Sequence, residues 1–134
     1  MHARYRARLD KLRRSIRKTG ADAALISSFT NVTYLTGFTG DSSYLLVGPD
    51  LGVMMSDSRY TQQLEEECPG LDLVIGRSSA ALLNSVESVI KKSKAQQVAI
   101  EADSMTLSRY DQIADRDVLN ETVDRVKRFI VDRR

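Results

Sequence analysis

Two apolar runs, Tyr44-Leu45-Leu46-Val47 and Gly52-Val53-Met54-Met55, meet across Gly48-Pro49-Asp50-Leu51 and restrict the folds open to this chain. Apolar runs closed by a Gly-Pro-Asp turn read as an antiparallel hairpin. Neither run alternates apolar with polar residues, so the sheet holding them is covered on both faces. The rest of the sequence supplies the covering helices and the further strands.

Tyr5, Leu9, Leu12 and Ile16 recur at helical spacing and stop at Gly20, which predicts an amphipathic first helix. Ala23-Ala24-Leu25-Ile26 reads as a buried strand, followed by a loop reaching from Ser27 to Gly40. After the hairpin, Asp57 or Ser58 caps a helix from about 59 to 67, which Pro69-Gly70 ends. Leu71–Ile75 and Gln97–Glu101 read as strands on either side of a helix from about 79 to 93. A helix from Thr106 to Asp115, an edge strand over Val118–Glu121 and a helical tail over 123–134 complete the expectation. In the tail, Val126, Phe129 and Ile130 share one side, a stripe that calls for a docking partner. Strand-helix alternation with one early hairpin gives an α/β fold: a three-layer αβα domain with a mixed, mostly parallel sheet of about six strands. With 134 residues, 42% hydrophobic and 28% charged, the chain is long enough for one such core.

The net charge of +2 hides an asymmetry. Residues 1–18 carry eight Lys/Arg against Asp10, and residues 125–134 carry five against Asp132. The remainder has a balance of −9. Basic ends admit a stand-alone interaction or nucleic-acid-binding module. The expectation here is no nucleic acid, because no aromatics that could stack on bases are interleaved with the cations. They read instead as a solvated helix face and an inter-domain helix. No run reaches the ~20 apolar residues of a membrane span. The start of the chain lacks the apolar core of a secretory leader, and the lone Cys68 suits a reducing compartment. The chain therefore reads as cytoplasmic, with no membrane.

Chemistry-bearing constellations are sparse. His2 is the sole histidine, and no carboxylates stand at metal-ligand spacing, so no metal site and no nucleophilic triad are expected. Cys68 lies between Glu67 and Pro69, where an acidic neighbour raises a thiol pKa. Gly37-Phe38-Thr39-Gly40 matches no phosphate cradle. Ser27–Asn31 has some character of a small-ligand loop but no companion glycine before a helix start, so a small-ligand α/β binder is the third reading.

What remains is Asn31-Val32-Thr33-Tyr34-Leu35-Thr36-Gly37-Phe38-Thr39-Gly40, followed by Asp57-Ser58-Arg59-Tyr60. Asn31 can close an Asx-turn or cap a short helical turn. Gly37 and Gly40 permit positive φ or close backbone approach, and Phe38 would then project from the loop tip. Alternatively Tyr34, Leu35 and Phe38 plug the end of the core. Arg59 opposes the dipole of a helix start, so it calls for a carboxylate partner, Asp57 or one outside the domain. Tyr60 packs under the loop.

The pairing of Asn-x-x-Tyr-Leu-Thr-Gly-Phe with a later Asp-x-Arg-Tyr resembles the amino-terminal domain of the creatinase/prolidase/aminopeptidase P proteins. The resemblance runs from the basic first helix to Val123-Asp124-Arg125-Val126-Lys127 and implies a ribonuclease H-like three-layer domain over 1–122. Residues 123–134 would begin the linker helix to a carboxy-terminal catalytic domain of pita-bread fold. That domain would hold two divalent metal ions, commonly manganese, cobalt or zinc, on two Asp, one His and two Glu, none of which match positions here. The resemblance further implies a non-catalytic half of a cytoplasmic Xaa-Pro dipeptidase or aminopeptidase. Its partners would be its own catalytic domain, a second copy in a homodimer, and proline-containing peptides. Carried over by position, Phe38, Thr39, Gly40 and Asp41 become substrate-gating rim residues with Asp57 and Arg59 beside them, while Asn31, Tyr34, Gly37 and Tyr60 are structural. The chain alone would be inactive, and creatinase and catalytically silent relatives leave the substrate open.

Overall fold

The computed structural model describes residues 2–101, 105, 106 and 108. Helix α1 spans Ala3–Thr19, β1 Ala23–Ile26, α2 Phe29–Thr36, β2 Ser43–Gly48 and β3 Leu51–Asp57. A 3₁₀ turn, Ser58–Tyr60, runs into α3 (Thr61–Glu67), and β4 (Asp72–Gly76), α4 (Ser79–Ser93) and β5 (Val98–Ile100) follow. The strands form one sheet in the order β4-β3-β2-β1-β5. β1 runs antiparallel to β2 and parallel to β5, and β3 runs antiparallel to β2 and parallel to β4. Four of the five described strands therefore point one way, and only β2 opposes them.

The hairpin forms as its apolar runs require, with Leu45 opposite Met54 and Gly48 opposite Leu51 around a turn of Pro49 and Asp50. Both faces of the sheet are covered. Ala24 and Ile26 of β1, Leu45 and Val47 of β2 and Met54 of β3 pack with Leu9, Leu12 and Ile16 of α1, Val32 and Leu35 of α2 and Leu64 of α3. The alternate residues Ala23, Leu25, Tyr44, Leu46, Val53 and Met55 pack with Leu82, Val86, Val89 and Ile90 of α4. Strand periodicity of two thus divides an unbroken apolar run between two cores.

The expected helix over 106–115, the strand over 118–121 and the tail stripe of Val126, Phe129 and Ile130 lie outside the described residues, save Thr106 and Ser108. The sixth strand is among them. Two other expectations change. Residues 29–36 are helical, because the Ser28 hydroxyl caps the Asn31 N–H and Gly37 ends the helix at φ 82°. The β-branched Thr30, Val32 and Thr33 lower the intrinsic propensity there and conceal the helix from sequence reading. The basic face of α1 is also only partly solvated. The Arg8 guanidinium lies 4.0 Å from the Tyr34 ring centroid and donates to the Tyr34 carbonyl at 2.8 Å. Arg13 donates to the Gly48 carbonyl at 2.8 Å and the Leu51 carbonyl at 3.2 Å, tying α1 to the hairpin turn.

Candidate functional site

Strand direction gathers the polar residues. β1, β3, β4 and β5 all end at one end of the sheet, where β2 begins. Ser27, Asp41, Ser42, Asp57 and Glu101 therefore lie along one end, the side on which open α/β sheets commonly bind ligands.

Asp57 closes β3 with its side chain only 2% exposed, whereas the Arg59 side chain is 62% exposed. The two form a bidentate pair: Nε donates to Oδ1 at 2.8 Å and Nη2 to Oδ2 at 2.7 Å. Asp57 Oδ1 also accepts the Arg59 backbone N–H at 3.1 Å, which caps the 3₁₀ turn. Hydrogen bonds from Arg59 pull the Asp57 carboxyl from its ordinary 3.8 down to about 2 against the opposing effect of burial. The same pairing raises the Arg59 guanidinium above its usual range. Arg59 therefore finds its carboxylate inside the domain. With Nε and one Nη2 proton engaged, the two Nη1 protons and the second Nη2 proton are the donors left beyond the pair.

Tyr60 lies beside this pair, its ring 5.2 Å from the Arg59 guanidinium carbon, and its hydroxyl donates to Asp41 Oδ1 at 2.5 Å. That bond raises the phenol pKa. The other edge of the loop is held from α3. Gln63 Nε2 donates to Thr39 Oγ1 and to Glu67 Oε1, both at 2.8 Å, and the Thr39 N–H donates to Glu67 Oε1 at 3.2 Å.

Phe38 does not project from the loop tip. It is fully buried and meets Tyr60 edge to face at a centroid distance of 5.5 Å. Burying the ring stabilises the domain by about 1.5–3 kcal/mol, and projection would forfeit that. Gly40, itself buried, lets the backbone close over the ring, since a Cβ there would sit 2.2 Å from Phe38 Cζ. Gly37 supplies positive φ and also approaches Tyr5, whose Cζ would lie 2.9 Å from a Cβ. Thr39 and Asp41 remain exposed, so the surface of the loop is polar with the aromatic beneath it.

Asn31 is not a cap. It lies within α2, and its amide Nδ2 donates to Glu101 Oε2. Glu101, 2% exposed, also accepts the N–H groups of Ser27 at 2.5 Å and Ser28 at 2.8 Å on Oε1. This carboxylate joins the start of α2 to the end of β5, and sequence reading missed it. Its sole signal was a glutamate following the apolar Val98-Ala99-Ile100 run. Tyr34 instead carries the Arg8 guanidinium. Cys68 is buried, and burial first, then the charge of Glu67, pushes its thiol up to about 11.

Among the described residues no three His, Cys, Asp or Glu side chains stand where they could hold a metal ion. The resemblance places its two-metal set in a carboxy-terminal domain, not on these residues. Nor, among the described residues, is any helix long and apolar enough to cross a membrane.

The class that the fold defines is a three-layer α/β domain, here with the polar side chains of Thr39, Asp41 and Arg59 exposed near the carboxyl end of its sheet. The creatinase/prolidase N-terminal domain model matches residues 8–127, and the chain belongs to that family. It is 30% identical over 103 residues to the uncharacterized peptidase YqhT of Bacillus subtilis, covering 77% of this chain and 29% of that protein. The N-terminal domain of the cytoplasmic peptidase PepQ from Mycobacterium tuberculosis superposes with a TM-score of 0.76 at 32% identity, covering 87% of this chain and 88% of that one. A Xaa-Pro dipeptidase from Bacillus anthracis shares the fold with a TM-score of 0.78 at 22% identity, covering 83% of this chain and 31% of the other. The chain thus spans about a third of the length of the Bacillus subtilis and Bacillus anthracis proteins.

Proposed function

We propose that this domain serves a metal-dependent Xaa-Pro dipeptidase or aminopeptidase, in which it forms part of the rim that admits and orients proline-containing peptides and contributes contacts to a homodimer. The supporting observation is the polar surface of Thr39, Asp41 and Arg59 within a domain of this family, with the Arg59 guanidinium braced by Asp57 and still 62% exposed. Phe38, Gly40 and Asp57 shape and hold that surface from beneath. The catalytic metals, manganese, cobalt or zinc, would belong to a pita-bread domain joined through residues 123–134, in a cytoplasmic protein. They would activate water for attack on the peptide bond before proline. This domain would contribute orientation and length selection.

Three results test the reading. The reading frame beyond Arg134 should encode two Asp, a His and two Glu in metal-site context, and its absence from the gene would remove the parent enzyme. In the parent, Asp41→Ala and Arg59→Ala should change KM or peptide-length preference severalfold with little change in kcat, and unchanged kinetics for both would leave those residues structural. The 134-residue chain with manganese should release no amino acid from Xaa-Pro peptides.

A further inference from the structure

The two edges of the described sheet differ in cover. All three residues of β5 are buried, whereas β4 at the other edge leaves Leu73, Val74 and Ile75 each half-buried. β4 pairs with β3 on one side, and its outward N–H and C=O groups face no strand among the described residues. Leu73 and Ile75 lean on the core beneath α1, α2 and α3, and Val74 leans on the core beneath α4. Each therefore keeps a flank in solvent along one apolar row. Natural sheets blunt a free edge with lysine, proline, a bulge or a covering loop. Between Asp72 and Arg77 the sequence is Leu-Val-Ile-Gly, and the register against β3 runs unbroken over five residues, so this edge carries neither cation, proline nor bulge.

Charge at the two ends of β4 selects what covers it. Asp72 opens the strand and Arg77 follows its end. Both are exposed, and neither belongs to an ion pair among the described residues. A second copy laid antiparallel, with Val74 opposite its own counterpart, sets Asp72 opposite Gly76 of the other copy and beside that copy's Arg77. Leu73 then meets Ile75, and the two-fold axis repeats every contact. A parallel second strand would instead bring the like charges together.

We infer that two copies of this domain pair edge to edge through β4, antiparallel about Val74, and join their sheets into one. The inference names a surface for the homodimer contact proposed above and rests on that part of the reading.

The test is sedimentation velocity on the 134-residue chain from about 10 μM to about 1 mM, since a five-residue strand on each side falls short of a standard interface and gives a weak dimer. A monomer–dimer equilibrium is expected, with the amides of Leu73–Ile75 gaining exchange protection as concentration rises. Asp72→Lys should weaken the dimer severalfold without unfolding the chain, and Arg77→Asp added to it should restore the pairing. Val74→Cys should close an intermolecular disulfide, because opposed Cα atoms of an antiparallel pair lie ~4.5–5.5 Å apart. The native Cys68 is buried and does not compete. A chain that stays monomeric at millimolar concentration overturns the inference, and the Asp41→Ala and Arg59→Ala kinetics then decide the peptidase reading separately. A dimer unmoved by Asp72→Lys and unlinked through Val74→Cys overturns the β4 edge and leaves the homodimer itself standing. Protection at Leu73–Ile75 that ignores concentration would mean that the chain covers its own edge, and overturns the pairing too.

Discussion

Asp57 and Glu101 are carboxylates at the same end of the same sheet, each 2% exposed, yet their partners differ in kind. Glu101 is held by neutral donors that are themselves part of the fold: two consecutive backbone N–H groups and the Asn31 amide. Asp57 is held by a cation whose body stands in solvent. The first arrangement uses the carboxylate to fix backbone to backbone across more than 70 residues of chain. The second uses it to fix one surface side chain and to cap the turn that carries it. Burial alone therefore does not say whether a charged group is there for the fold or for the surface. The direction in which its partners lie decides that.

Removing each acid should separate them. Glu101→Ala leaves three half-buried donors without their acceptor and should destabilise the domain by about 3 kcal/mol, read from urea unfolding. A loss under 1 kcal/mol would make the two acids equivalent. Gly40→Ala places a Cβ against the Phe38 ring and should cost about 1–3 kcal/mol. A neutral result would mean that the loop above Asp57 yields, unlike the junction at Glu101. Asp57→Ala removes the cap of the 3₁₀ turn and should cost about 1 kcal/mol, with added salt narrowing the gap from wild type.

Acid should sharpen the contrast further. The folded carboxyl of Asp57 titrates near 2, below its ordinary 3.8, so its contribution is complete above about pH 4 and disappears as pH falls toward 2. Asp57→Asn should flatten the wild-type stability loss across that window, and identical acid profiles would break the assignment. The smallest effect belongs to Tyr60. Its phenol should ionise above the ordinary range, and Asp41→Asn should bring it back down, as followed by ultraviolet titration.

The core was legible in the sequence because it follows from periodicity. Unalternating runs at Tyr44–Val47 and Val53–Met55 required cover on both faces, and the two packed clusters supply it. The Asp57–Arg59 pair was half legible, since a cation at a helix start asks for an acid and the nearest one serves. Helix α2 was hidden by β-branched residues of low propensity. Its capping by Ser28, three residues before Asn31, shifted the role assigned to Asn31. The Glu101 junction was illegible because it joins segments distant in sequence, and no local pattern encodes such a contact. Phe38 between two glycines reads equally as a tip or a plug. Only the position of Tyr60 decides for the plug.

The bidentate grip of Asp57 on Arg59 has a consequence in conformational entropy. A free arginine at a surface samples many rotamers, and a ligand that captures it must freeze them. Here two of the three guanidinium nitrogens are already anchored when folding ends. A molecule reaching Nη1 meets a donor that is immobile beforehand, so the affinity of that contact is not diluted by ordering the side chain.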